Sequence, residues 1–200
     1  MTNLILDKKY VINRWKNFLR PDCAFDLEIE WKKMPKNREK ESQVSKALRE
    51  RLATALTEQK GGTTNVFTTT THNSELVVVV GWVNPSHAPI YLGVDVEKID
   101  RPVTERAFNR LMSSEKEREY LRLLNPIDFW VIKEACFKAN PKNQGSFVSE
   151  YEVKTVLEAS GGESEMVDYK GSVERLFDKS QYEFYLMRYQ GLSFALAQCI

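Results

Sequence analysis

Cysteine is scarce in this chain of 200 residues, and the three that occur, Cys23, Cys136 and Cys199, are widely spaced with no Cys-x-x-Cys pair. That excludes the spacing of a zinc knuckle and the even count of a disulfide framework, and it reads as buried thiols in a reducing compartment. An excess of charge of one sign is missing too: 29 basic residues face 28 acidic ones, for a net charge of +1. No global basic field for nucleic acid and no acidic tail follow from this balance, so local clusters carry the information. Long apolar runs are also absent. The longest, Leu76 to Val83 (LVVVVGWV), falls far short of a bilayer span, and the opening MTNLILDKKY lacks the apolar core of a secretory signal. A soluble cytoplasmic protein, with neither a nucleic-acid nor a membrane partner, is expected. What is present is 42% hydrophobic residues, enough for one good core or two small ones.

The pattern of those residues predicts mixed structure. Residues 9–20 suit a short amphipathic helix. Phe25 to Lys32 alternates, with Phe25, Leu27, Ile29 and Trp31 on one face and acids on the other, the pattern of a half-buried strand that Pro35 ends. Arg38 to Gln59 is rich in helix formers, with Val44, Leu48, Leu52 and Leu56 recurring every fourth residue and Gly61–Gly62 as a stop. Two strands rich in Thr and Val follow. A turn at Asn84–Ser86 then leads into the strand PIYLGVDVE, which is expected to form an antiparallel hairpin with the run before it. Thr104–Met112 predicts a short helix, and Ser114 and Glu117 have capping-box spacing. Asn125–Pro126 opens a helix to Ala139, closed by Pro141. The remainder reads as sheet, with Ser160–Ser164 as a turn. The fold class is α+β, antiparallel sheets packed with helices.

Two stretches carry chemistry. In LGVDVE, Leu92, Val94 and Val96 share one strand face, and Gly93, Asp95 and Glu97 the other. Two neighbouring carboxylates repel unless a cation sits between them, and Gly93 leaves room for a backbone or a ligand. Oxygen-only ligation favours Mg²⁺, with Mn²⁺ as the alternative. In FWVIKEACFKA, Trp130, Glu134 and Lys138 stack along one helix face, leaving Ile132, Ala135, Cys136 and Ala139 to pack. Alone, Glu134 and Lys138 are an ordinary surface pair worth roughly 0.3–0.5 kcal/mol; the Asp-x-Glu strand upstream gives them a second meaning. His72, preceded by four threonines and followed by Asn73 and Ser74, brings hydroxyls, an imidazole and loop amides together, a set that suits an anion.

Read together, GVDVE and FWVIKEACFKA resemble the signature of the 4'-phosphopantetheinyl transferases, a G-[VI]-D-x-[EDA] strand followed by a [FW]-[SCT]-x-K-E-[AS]-x-x-K helix. Gly93, Val94, Asp95 and Glu97 match the first part; Trp130, Lys133, Glu134, Ala135 and Lys138 match the second. The length is similar to that of the larger, Sfp-like class. VFTTTTHNS resembles that class's histidine segment, with Thr71 and Asn73 in place of its flanking serines, and PKNREK resembles its early basic segment. Val131 departs from the usual Ser, Cys or Thr, and QKGG is the nearest counterpart of the family's Gly-Lys-Pro step.

The resemblance implies a monomeric pseudodimer of two similar α/β halves, 1–98 and 99–200, with coenzyme A in the cleft between them. It implies holo-acyl-carrier-protein synthase activity: transfer of 4'-phosphopantetheine from coenzyme A to a serine of an acyl or peptidyl carrier protein, releasing adenosine 3',5'-bisphosphate. Asp95, Glu97 and Glu134 would hold Mg²⁺, and Lys138 would contact the pyrophosphate. Glu134 is the candidate base, and Lys133 would orient it or a phosphate. His72, with Thr71, Arg38 and Lys40, would hold the 3'-phosphate, and Lys60 would lie near the adenine. Phe108, Leu111 and Met112, with Arg106 and Arg110, suit an acidic carrier protein. Two rivals differ in class. A Mg²⁺-dependent nuclease would want a Glu-x-Lys on the metal strand, which Glu97-Lys98-Ile99 does not supply. A degenerate module binding coenzyme A or a carrier protein without catalysis would not need to keep all three acids and Lys138.

Overall fold

The computed structural model describes residues 7–18, 27–33, 38–59, 66–73, 76–83, 90–142, 147–159 and 167–200. The expected turns at Asn84–Ser86 and Ser160–Ser164, the breaks at Pro35 and Gly61–Gly62, and Lys60 lie outside these residues. So do the side chains of residues 25–33, on which the expected alternation rests. The chain divides into two compact units, Met1–Ile90 and Tyr91–Ile200. The strand carrying Asp95 and Glu97 thus falls in the second unit, whereas a boundary after Lys98 places it at the end of the first.

The first unit holds α1 (Lys8–Phe18), β1 (Leu27–Lys33), α2 (Arg38–Gln59), β2 (Val66–His72) and β3 (Leu76–Val83). Its sheet runs β1-β3-β2, antiparallel throughout. The four-residue stripe of α2 meets the two-residue period of β3: Leu48, Leu52 and Leu56 pack with Val77, Val79 and Val83. Gly81 shares that strand face, and a Cβ there would stand 2.8 Å from Leu56 Cδ1. Trp82 points the other way, stacks on its cross-strand partner Phe67 at 5.8 Å, and donates its indole N–H to the Ile90 carbonyl at 3.2 Å.

The second unit holds β4 (Leu92–Lys98), α3 (Glu105–Leu111), α4 (Glu115–Arg118), α5 (Pro126–Ala139), β5 (Tyr151–Ala159), β6 (Asp168–Arg175), β7 (Gln181–Tyr189) and β8 (Leu192–Cys199). Its sheet runs β4-β8-β7-β6-β5 with every pair antiparallel. The expected hairpin between the strands flanking Asn84–Ser86 does not form: β3 pairs with β1 and β2, and β4 pairs with β8. A strand's partner is set by which sheet buries its apolar face, and a nearby turn does not override that. The run from Tyr182 to Cys199 reverses at Gln190 and Gly191, both with positive φ (49° and 76°), as a two-residue hairpin turn requires.

Helix α5 lies against β4 and β8. Asn125 caps it by accepting from Asp128 N at 3.0 Å, while Asp128 Oδ2 accepts from Asn125 N at 2.8 Å and Pro126 starts the first turn. Its buried residues Ile132, Ala135, Cys136 and Ala139 join Phe184, Leu186, Ala195 and Ala197 in one core. The two units together give the α+β class with antiparallel sheets.

Candidate active site

The site begins at a glycine. An added Cβ on Gly93 would stand 2.0 Å from the Ala135 carbonyl oxygen and 2.5 Å from Ala139 N. Only a residue without a side chain lets the backbone of α5 come this close to β4. Asp95 and Glu97 follow at two-residue steps and share the face of Gly93, and the close helix packing sets the Asp95 carboxylate beside α5. Along the helix, Trp130, Glu134 and Lys138 form a partly exposed strip, while the residues between them are mostly buried.

Across that contact Lys138 Nζ donates to Asp95 Oδ1 at 2.7 Å. Asp95 is only 6% exposed, so its charge is balanced locally. Glu134 is half-buried. Burial first, and the charge of Asp95 second, push its carboxyl above the ordinary carboxylate range, and Lys138 pulls the other way. A carboxylate raised in this way is a better proton acceptor near neutrality than an exposed one.

Glu97 has a different environment. Its Oε2 forms an ion pair with Arg101, one helical turn's worth of chain away, and its Oε1 accepts from Lys98 N at 3.0 Å. The Arg101 guanidinium also lies over the Trp130 ring, 5.8 Å from its centroid. Among the described residues, no three His, Cys, Asp or Glu side chains gather closely enough to hold a metal ion. The structure therefore brings Asp95, Glu134 and Lys138 together and holds Glu97 to Arg101. Oxygen donors from two carboxylates still fit Mg²⁺, which takes one or two protein carboxylates plus phosphate oxygens and water. The repulsion that raises Glu134 is what a cation between the two acids would relieve.

Lys133, expected to orient Glu134 or a phosphate, points elsewhere. It is wholly buried, and its Nζ donates to Leu111 O (2.6 Å), Ser113 Oγ (2.9 Å) and Glu117 Oε2 (3.0 Å). Glu117, also wholly buried, accepts in addition from Ser113 N and Val153 N, each at 2.6 Å. Adjacent helix positions lie about 100° apart, so Lys133 and Glu134 cannot serve the same face. Glu117 was legible only as a capping-box partner of Ser114. Ser114 Oγ does accept from Glu117 N at 3.4 Å, but the Glu117 carboxylate holds Lys133 and two other amides. The signal was in the sequence: Phe129, Ile132, Lys133 and Cys136 sit at i, i+3, i+4 and i+7, so Lys133 occupies a core stripe and needs a buried partner.

Asp128 is a second buried acid, one whose place in the helix pattern gives no hint of its partners. It accepts from Ser193 Oγ at 2.7 Å and pairs with Arg188, which also donates to Leu123 O at 2.8 Å, so α5 is tied to β7 and β8. In the suggested carrier surface, Arg106 and Arg110 are exposed, Leu111 belongs to the core, and Phe108 lies 5.6 Å beneath the Arg118 guanidinium.

In the first unit, His72 is exposed at the end of β2, and Thr71 beside it is buried on the opposite strand face. Asn73 closes the β2–β3 connection: its N donates to Leu76 O at 3.0 Å and its Oδ1 accepts from Leu76 N at 2.9 Å. Arg38 and Lys40 stand in the first turn of α2, with their side chains outside the described ones.

Asp95 on the strand and Glu134 and Lys138 on the helix thus set two carboxylates and one ammonium side by side, a cluster with room for one more cation. A family model of the 4'-phosphopantetheinyl transferase superfamily matches residues 91–196, more than half of the chain and nearly all of the second unit. The chain belongs to that superfamily. Its general chemistry is phosphopantetheinyl transfer, with coenzyme A as substrate, carrier proteins as partners and typically a divalent metal. No curated protein matches the chain. Among the described residues, no helix is long and apolar enough to cross a membrane.

Proposed function

We propose that this chain is a 4'-phosphopantetheinyl transferase of the larger, Sfp-like class. It moves the phosphopantetheine arm of coenzyme A to a serine of an apo acyl or peptidyl carrier protein and releases adenosine 3',5'-bisphosphate. The observation that carries the proposal is the contact of Lys138 with Asp95, beside a Glu134 whose carboxyl is raised by burial and by Asp95.

Asp95 and Glu134 are the residues that would hold Mg²⁺ or Mn²⁺; when bound, the ion neutralises pyrophosphate charge and assists departure of the leaving phosphate. Lys138 donates to a pyrophosphate oxygen and adds a second positive charge where negative charge builds up. Glu134, directly or through a water, takes the proton of the serine hydroxyl. The serine oxygen then bonds to the β-phosphorus as the bond from that phosphorus to the bridging oxygen breaks, and adenosine 3',5'-bisphosphate leaves with the electron pair. We assign the 3'-phosphate to His72, with Arg38 and Lys40 from α2, and the adenine side to Lys60. The same reading makes the chain a monomeric pseudodimer.

The test is to incubate the chain with coenzyme A, Mg²⁺ and an apo carrier protein and to weigh the carrier by mass spectrometry. A gain of one phosphopantetheinyl group is expected. Unchanged mass across acyl and peptidyl carriers, with coenzyme A still bound tightly, supports the binding-module reading instead.

A further inference from the structure

The second acid of the Asp-x-Glu strand and the arginine that follows it make a device the proposed reaction does not use. We propose that Arg101 is a built-in cation for Glu97, so that the metal-free enzyme presents a two-carboxylate site, Asp95 and Glu134, with Glu97 held in reserve by Arg101. This rests on the reading above that the site takes a divalent ion.

Three observations support it. Glu97 has both oxygens engaged, Oε2 by the guanidinium of Arg101 and Oε1 by Lys98 N. Arg101 is placed from a second side: its guanidinium lies over the ring of Trp130, which stands one turn before Glu134 on the same strip of α5. The signature tryptophan thereby has a task, which is to hold the plane of an arginine beside an acid. The Glu97 side chain is 12% exposed and that of Arg101 is 50% exposed, so water reaches the arginine and leaves it free to swing away. Asp95 differs, since its partner Lys138 comes from across the β4–α5 contact and is itself only 24% exposed.

The consequence is competition. A divalent ion recruits Glu97 only after displacing Arg101, and the arginine lowers affinity for the free ion while leaving two acids ready for an ion that arrives with the phosphates of coenzyme A. Removing Arg101 should therefore convert a two-carboxylate site into a three-carboxylate one. If Arg101 acted only through the field of its charge, its removal would strengthen ion binding whether or not Glu97 is present. Competition for Glu97 would do so only when Glu97 is there.

The experiment is titration of the 200-residue chain with Mn²⁺ alone, with free Mn²⁺ read from its paramagnetic resonance signal. Arg101→Gln is expected to tighten binding about threefold to tenfold, the range of a partly exposed ion pair lost to the competitor. Glu97→Gln in the parent chain is expected to change the affinity less than twofold. The double variant Glu97→Gln/Arg101→Gln is expected to return to the parent value, and Asp95→Asn to lose most of the binding. The proposal is overturned if Glu97→Gln weakens Mn²⁺ as much as Asp95→Asn does, or if the gain from Arg101→Gln survives in the double variant. Either result leaves the transferase reading intact. A parent chain that binds no Mn²⁺, alone or with coenzyme A, overturns the metal reading and this proposal together. Circular dichroism of each variant verifies the fold, and these three positions lie outside the core cluster of the unit.

Discussion

Lys133 and Glu134 are neighbours in sequence and opposites in environment. On one side of α5, Lys133 and Glu117 are wholly buried, and the pair is satisfied by four other polar groups: Leu111 O, Ser113 Oγ, Ser113 N and Val153 N. On the other side, Glu134 and Lys138 are partly exposed to water, Asp95 beside them is nearly buried, and the two acids repel. The first arrangement is closed and positions the helix. The second leaves charge only partly compensated, which suits a site that must exchange partners with substrate. Residues of one type therefore divide between holding the helix and acting on a ligand according to which face they occupy.

The sharpest way to break the comparison is on the closed side. Lys133→Met leaves Glu117 buried without its cation and is expected to cost about 3–5 kcal/mol of unfolding free energy. Urea denaturation followed by circular dichroism measures this. A loss below about 1 kcal/mol would show that the pair is not the anchor described. Adding Glu117→Gln to Lys133→Met should cost less than the two single changes summed, because the second change removes the charge the first one stranded. On the open side the effect should appear in turnover and not in folding. Asp95→Asn is expected to lower phosphopantetheinyl transfer by roughly 10²-fold or more while leaving the urea midpoint nearly unchanged. A variant that folds and transfers at the parent rate would remove Asp95 from the site.

Gly93 connects the two sides, because it sets how far α5 stands from β4. Gly93→Ala forces backbone against backbone, and the helix has to move away from the strand. An expected loss of about 1–3 kcal/mol, typical of overpacking, should come with a fall in activity, since Asp95 and Lys138 separate as the helix shifts. If activity falls while the stability of Gly93→Ala matches the parent, spacing matters only to the chemistry. If stability falls alone, the strip on α5 tolerates displacement.

Much of this was legible from residues alone. Helix α2 ran from Arg38 to Gln59 as its four-residue stripe required, α5 from Pro126 to Ala139 as its cap and closing proline required, and Gly93 signalled a close backbone. The misses share a physical cause. Partners that lie far apart in sequence leave no period to read: Glu117 with Lys133, Asp128 with Arg188 and Ser193, and β4 with β8. Arg101 lies near enough to Glu97 to be seen, yet a charge four residues from an acid in a non-helical stretch carries no spacing rule, and only the fold places it over Trp130.

The smallest expected effect is also the most specific to Glu134. Its carboxyl binds a proton more readily in the folded chain than in the unfolded one. Its contribution to stability is therefore complete below the ordinary carboxylate pKa and is lost as pH rises through the raised value. Urea midpoints taken from acid to neutral pH should show a shallow decline over that window, and Glu134→Gln should remove this component. Asp95→Asn should shrink it without abolishing it, because burial is the larger cause and the charge of Asp95 the second. A saturating divalent ion should flatten the decline, since an ion between the two acids favours the ionised carboxylate. If Asp95→Asn leaves the slope untouched, the two acids do not sense each other, and the strip on α5 is an ordinary solvated surface like the exposed Lys46–Glu50 pair.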